Sequence, residues 1–214
     1  IWYDILQSFL RDNAAILWLQ DREQNIRQQE DTVPPSEFVG YKSPINHRSP
    51  DIIARFILRN LDVEFECGND LPGLGVGIST YENPSEQAVI VAGIVRDHLK
   101  RGFGYEDIVV VSLRGISAAF FDGLDKIGEY SVRRFTGEYD ELGNQVMSDG
   151  VLTLETIYRF KGQQAPAVIL VDVDPDPTKR PQPTRLLNAA MTRATVRLDI
   201  VMRSGNEMTK DFLI

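Results

Sequence analysis

The side chains best suited to chemistry in this sequence are arginines placed beside helix starts and helix ends. A guanidinium is always charged, and its planar fork grips phosphate or carboxylate with paired hydrogen bonds. Arg48 lies in Ile45-Asn46-His47-Arg48-Ser49-Pro50, where a strand end leads into a helix start and could hold the cation beside a phosphate. Read alone, Arg48 suits a surface position and His47 a packing role. Arg193 closes the helix-like run Ala190-Met191-Thr192-Arg193-Ala194 in an apolar setting. A buried arginine needs an anionic partner, either a carboxylate of the same chain or a nucleotide phosphate from outside. Between them, Thr156-Ile157-Tyr158-Arg159-Phe160-Lys161-Gly162-Gln163-Gln164-Ala165-Pro166 sets hydroxyl, aromatic and cationic groups beside a glycine, a mixture that serves a phosphate backbone. Near the start, Leu19-Gln20-Asp21-Arg22-Glu23-Gln24-Asn25-Ile26 follows an apolar run. Polar groups just past a parallel strand sit where α/β sheets bind ligands, although a solvated loop reads the same way.

Two patterns look chemical and are rejected. Val168-Ile169-Leu170-Val171-Asp172 resembles a strand ending in a magnesium-binding aspartate. It lacks the Gly-x-x-x-x-Gly-Lys-Ser/Thr loop that such an aspartate accompanies, and that loop occurs nowhere in the sequence. Gly73-Leu74-Gly75-Val76-Gly77 opens no helix and reads as a turn. The lone Cys67 is read as a semi-buried residue; it cannot close an intramolecular disulfide, and no His/Cys cluster offers a zinc site. A formal net charge of -8 predicts that the chain alone binds DNA poorly, while leaving room for a groove shared with another domain.

The elements that must position these groups alternate. A helix is expected over Trp2–Leu10 and a buried strand over Ala14–Leu19, followed by a polar linker with Pro34-Pro35. Ser49-Pro50 should start a helix, with Ser49 as its cap and Ile53, Phe56, Ile57 and Leu61 as its apolar face. Asn83 and Glu86 mark a second helix start, Ala88, Val91, Val95 and Leu99 give its face, and Gly102 ends it. Ile108–Leu113 is a continuous apolar run of the kind buried on both faces of a parallel sheet. Ser117–Leu124 is predicted as helix, Gly137–Gly150 as loop, Arg185–Ala194 as helix, and Val151–Leu154, Ala167–Val173 and Arg197–Met202 as strands. The order predicts an α/β fold with a mostly parallel sheet. No apolar run is long enough to span a bilayer and no signal-peptide pattern is present, so a cytoplasmic location and no membrane partner are expected. Because Ile1 rather than Met opens the chain, it is expected to begin inside a longer gene product.

In order and spacing, the four stretches resemble the third to sixth motifs of superfamily 1A helicases, the UvrD/Rep/PcrA-like family. The family patterns are Gly-Asp-x-x-Gln-x-Ile-Tyr, Asn-Tyr-Arg-Ser, Thr-x-His-x-x-Lys-Gly-x-Glu and Val-Ala-Met-Thr-Arg-Ala. The resemblance covers Ala14 to Met202. It implies a RecA-like P-loop NTPase fold: residues 1–40 would be the tail of a first motor domain plus linker, and 41–214 the second motor domain. It further implies ATP and Mg2+ as cofactors of the full-length parent, single-stranded or partially duplex DNA as a partner, and the parent's N-terminal RecA-like domain as another. By resemblance, Gln24 would sense the γ-phosphate or its attacking water, and Arg48 and Arg193 would be arginine fingers. His47 would stand where a tyrosine stacks on adenine, with Gly162 and Gln164 near the nucleotide. Thr156, Tyr158 and Lys161 would face DNA. Gln20 replaces a glycine, Arg27 an aromatic and Gln164 a glutamate. These departures keep open an alternative, a degenerate helicase-like interaction module without ATPase activity. The compact stretch between Arg48 and Thr156 predicts a second domain without the large accessory insertion.

Overall fold

A run such as Ile108–Leu113 can bury both faces at once only in the middle of a sheet, and there it lies. The computed structural model describes residues 2–19, 26, 36, 38–173 and 183–205. In chain order its elements are α1 (Trp2–Gln7), β1 (Ile45–Asn46), α2 (Asp51–Asn60), β2 (Glu66–Cys67), β3 (Val76–Tyr81), α3 (Glu86–Lys100), β4 (Ile108–Ser112), β5 (Lys126–Ile127), β6 (Tyr130–Arg133), β7 (Phe135–Tyr139), β8 (Gln145–Met147), β9 (Leu152–Thr156), α4 (Ile157–Phe160), β10 (Ala165–Val173), α5 (Pro183–Met191) and β11 (Ala194–Arg203). Seven strands form one sheet in the order β3-β11-β10-β4-β9-β6-β5. Only the β5–β6 pair is antiparallel; the other neighbours are parallel.

Side-chain alternation along the central strands sorts two cores. Val168 and Leu170 of β10 face α2, α4 and α5, packing with Ile53, Ile57, Ile157, Leu187 and Met191. Ile169 and Val171 face the other way, onto Val91 and Val95 of α3 and onto Phe121 and Leu152. The sheet is thus covered by helices on both faces, as continuous apolar strands require. Glu86 fixes the start of α3, its carboxylate accepting from the Glu82 amide (2.9 Å) and from Asn83 Nδ2 (3.0 Å). Gly102, at φ 94°, ends the α3 segment in a conformation that disfavours other residues. No helix among the described residues is long and apolar enough to cross a membrane.

Several expectations are corrected. Ala14–Leu19 is not a strand: it has no ladder neighbour among the described residues, and Leu17 and Leu19 are exposed. An apolar run without a partner strand leaves its amides to water. Ring contacts of Tyr3 with Trp18 and Phe38 draw this segment together instead. The helix after Ser49 starts at Asp51, and the Ser49 hydroxyl accepts from Asn46 Nδ2 rather than capping. Gly77 lies inside strand β3, where a Cβ would collide with Arg197 and Asp199. Cys67 is exposed, on the short strand β2. Ser117–Leu124 forms no helix beyond a 3-10 turn at Ile116–Ala118, because the Phe120 amide is claimed by the Asp172 carboxylate and Phe121 is driven into the core. The polar stretch from Gly137 is a hairpin, β7–β8, whose turn is knotted by Asp140 Oδ1 accepting from the Leu142 and Asn144 amides.

Gly150, just before β9, is pressed against backbone: a Cβ there would meet the Val132 carbonyl and lie 2.6 Å from the Arg133 nitrogen. Backbone cannot yield as a side chain can. Gly150→Ala is expected to destabilise the fold by about 1–3 kcal/mol, read as a lowered urea midpoint with unchanged slope.

Candidate functional site

Strand β9 ends at Thr156 on the carboxyl edge of the sheet, in register with Ser112 of β4. Strand β10 begins at Ala165 on the opposite edge, in register with Ala194. The chain crosses from one edge to the other through the single turn α4. This short crossover is possible because Ile157 and Phe160 drop into the core while Lys161, Gly162, Gln163 and Gln164 stay exposed. Gly162 makes the reversal at φ 91°, a left-handed turn that glycine adopts without strain. Thr156 is 3% exposed and Tyr158 packs partly against the core. The predicted phosphate-handling stretch therefore divides: Thr156 belongs to one edge, Gly162 and Gln164 to the other.

Arg193 joins the second edge. It is 1% exposed. Its Nε donates to the Ala189 carbonyl (2.9 Å), Nη1 to the Gln163 carbonyl (3.3 Å) and Nη2 to Thr192 Oγ1 (3.3 Å). The Ala165 amide in turn donates to the Arg193 carbonyl at 3.1 Å. Sequence reasoning anticipated a buried arginine with an anionic partner. Among the described residues these bonds run to neutral oxygens: the Ala189 carbonyl at the end of α5, which also accepts from Thr192 Oγ1 at 3.3 Å, a loop carbonyl and a hydroxyl. The bond to Gln163 makes the guanidinium a brace under the loop that carries Gly162 and Gln164.

Arg48 reaches the same edge by another route. Asn46 Oδ1 accepts from the amides of Arg48 (3.0 Å) and Ser49 (3.1 Å), closing a tight side-chain turn, and Asn69 Nδ2 holds the Arg48 carbonyl at 3.3 Å. Beyond the turn, Pro50 nestles against Gly73, where a Cβ would lie 2.8 Å from Pro50 and 2.9 Å from the Val196 carbonyl. Val196 is the third residue of β11 and lies three residues after Arg193, so Arg193 and the turn that carries Arg48 both lie at the amino-terminal end of that strand. The Arg48 side chain is half-buried and makes no hydrogen bond or ion pair among the described residues. His47 beside it is exposed, with Nδ1 3.2 Å from the Gly68 carbonyl. Gln24 lies outside the described residues.

Three further groups, of which sequence reasoning passed over Arg114 altogether, stand near these. Arg159 of α4 donates to Glu155 (3.0 Å) and Gln145 (2.7 Å) and lies 3.9 Å over the Phe135 ring, tying the β7–β8 hairpin to the crossover. Arg114 emerges just past β4. Asp172, dismissed as a false metal ligand, is a buried hub of hydrogen bonds. The i, i+4 pairing of Glu155 with Arg159 was legible; the other two depend on contacts remote in sequence. Among the described residues no group of three His, Cys, Asp or Glu could hold a metal.

Residues 152–201, β9 through most of β11, match the family model of the UvrD-like helicase C-terminal domain. The chain is similar in structure to the C-terminal domain of a possible DNA helicase from Lactobacillus plantarum. That likeness has a TM-score of 0.50 at 18% identity and covers 76% of this chain and 91% of the other. At that identity it speaks for the fold alone, the α/β fold of RecA-like helicase C-terminal domains. No curated protein matches the chain.

Proposed function

With a UvrD-like helicase C-terminal region in the chain, we propose that it is the second motor domain of an ATP-dependent DNA helicase or translocase. One observation carries the reading: a single-turn crossover, α4, links the edge bearing Thr156 to the edge bearing Gly162, Gln164 and Arg193. Such a crossover lets a strand of DNA on one edge and a nucleotide on the other feel each other through one rigid step.

The residues fit a triphosphate. Arg48 offers a cation with no side-chain partner among the described residues, and His47 and Gln164 offer an exposed ring and amide on the same edge. ATP held between this edge and the first motor domain supplies the phosphoanhydride whose hydrolysis drives movement, with Mg2+ assigned to the first domain's acidic motif. Arg48 and Arg193 offset charge that develops on the phosphates. Gln24 orients the attacking water. Thr156, Tyr158 and Lys161 meet the DNA backbone and bases.

The test compares two proteins. The chain expressed alone is expected to show negligible ATP turnover, because its sequence holds no phosphate loop. The full-length protein should hydrolyse ATP faster when single-stranded DNA is added. Robust turnover by the chain alone, or turnover indifferent to DNA, would overturn the reading. The inward bonds of Arg193 favour a second reading, a helicase-like interaction module without catalysis. An intact upstream phosphate loop followed by Asp-Glu-x-Gln speaks for the motor; their absence speaks for the module.

A further inference from the structure

Asp172 is the one residue other than glycine at positive φ (55°) among the described residues, and it is 2% exposed. A non-glycine residue in that region is strained and persists only where its surroundings over-determine it. Here they do. Ser112 Oγ donates to its Oδ2 at 2.6 Å and the Phe120 amide to the same oxygen at 3.1 Å. Gln87 Nε2 donates to Oδ1 at 3.4 Å, and the Asp172 amide returns a bond to Gln87 Oε1 at 3.2 Å. Arg114 Nη1 lies 4.0 Å from Oδ1, its side chain 37% exposed. The Arg114 amide is itself pinned on Ser112 Oγ at 3.0 Å. One carboxylate thus ties together the end of β10, the end of β4, the turn before Phe121 and the first turn of α3. Surrounded by protein donors, it is a latch rather than a metal ligand.

The latch sits beside the DNA-facing loop. Ser112 is in register with Thr156 on one side and Val171 on the other. The segment from Leu113 to Phe120 therefore leaves the sheet next to Thr156, at the carboxyl edge where parallel sheets take ligands. We propose that Asp172 is a positioning residue that fixes this segment and aims Arg114 at the phosphodiester backbone of a single strand lying past Thr156. This rests on the DNA-binding reading above.

The test uses the full-length protein and a fluorescein-labelled oligothymidylate, with binding followed by anisotropy across a salt series. Arg114→Ala is expected to flatten the dependence of log affinity on log salt by about 0.7, the share of one phosphate contact on a single strand. Asp172→Asn should flatten it equally, since asparagine tolerates the left-handed backbone while losing the charge that orients Arg114. The double variant should lose no more than either single one. Ser112→Ala, a milder change that removes one donor, should move the slope in the same direction if Asp172→Asn folds poorly. An unchanged slope in Arg114→Ala, a lowered melting temperature with an unchanged slope in Asp172→Asn, or a gain in affinity on losing a competing carboxylate would overturn the inference. Wild-type protein that binds no single strand would sink the functional reading itself.

Discussion

In the full-length protein, Arg193→Ala is expected to lower ATP hydrolysis by about 10³-fold or more, the scale of a lost arginine finger. The substitution does two things. It removes the cation assigned to the phosphates, and it takes one donor from the Ala189 carbonyl, which keeps a bond from Thr192 Oγ1, and one from the Gln163 carbonyl of the exposed loop. The two effects separate by measurement. Circular dichroism reports whether the fold survives at the assay temperature, and Arg193→Lys restores a charge without the fork that reaches both carbonyls. A finger predicts that hydrolysis collapses in folded Arg193→Ala protein and recovers little in the lysine variant. Hydrolysis that persists in folded protein would remove Arg193 from the active site.

Asp199→Ala is expected to be the most damaging single change to stability, at about 3–5 kcal/mol, because it leaves buried cationic and polar partners without their anion. Asp199 accepts from His98 Nε2 (2.8 Å) and, as a fork, from Arg197 Nε (2.9 Å) and Nη2 (2.6 Å). His98 reaches it from α3, with 3% of its side chain exposed, and His98 Nδ1 is buried without a partner. A hydrogen on Nε2 satisfies the contact to Asp199. Gly77 makes room for the trio from β3. Burial alone would raise the Asp199 carboxyl, but hydrogen bonds from His98 and Arg197 outweigh it and hold the group below the ordinary carboxylate range. A depressed folded-state value means that the stabilisation is complete above the unfolded value of about 3.9 and is lost as pH falls through the folded one. Wild-type chain should therefore lose stability in acid below about pH 4 by a step that Asp199→Asn lacks. Thermal melts of both proteins across that range check it; parallel curves would show that Asp199 carries no such linkage.

How legible all this was depends on where each residue's partners lie. Ile108–Leu113 and Ala167–Val173 read as buried strands because a continuous apolar run has one comfortable home, the middle of a covered sheet. The α3 helix was equally plain, its start marked by Asn83 and Glu86 within four residues of each other. The edge was harder. Strand β3 carries Gly77, Ser79 and Thr80 on a partly exposed path, so its sequence looks like a turn. Strands β5 to β8 are short and polar, and their pairing is set by tertiary neighbours rather than by pattern. Ala14–Leu19 shows the converse error: an apolar run signals a strand only when a neighbour waits to pair with it.

The sequence by itself determined the α/β alternation, the two arginine-bearing stretches and their order, and the buried nature of Arg193. These follow from local periodicity, turn chemistry and side-chain type, which act over a few residues. Only the tertiary structure decided that α4 carries the chain between the two edges of the sheet, that Arg193 donates to the Ala189 and Gln163 carbonyls, and that Asp172 is a latch. Those outcomes rest on pairs such as Gln87 with Asp172 and His98 with Asp199, separated by 85 and 101 residues. No local pattern encodes such distant partners, because their meeting is set by the packing of whole strands and helices around a common core.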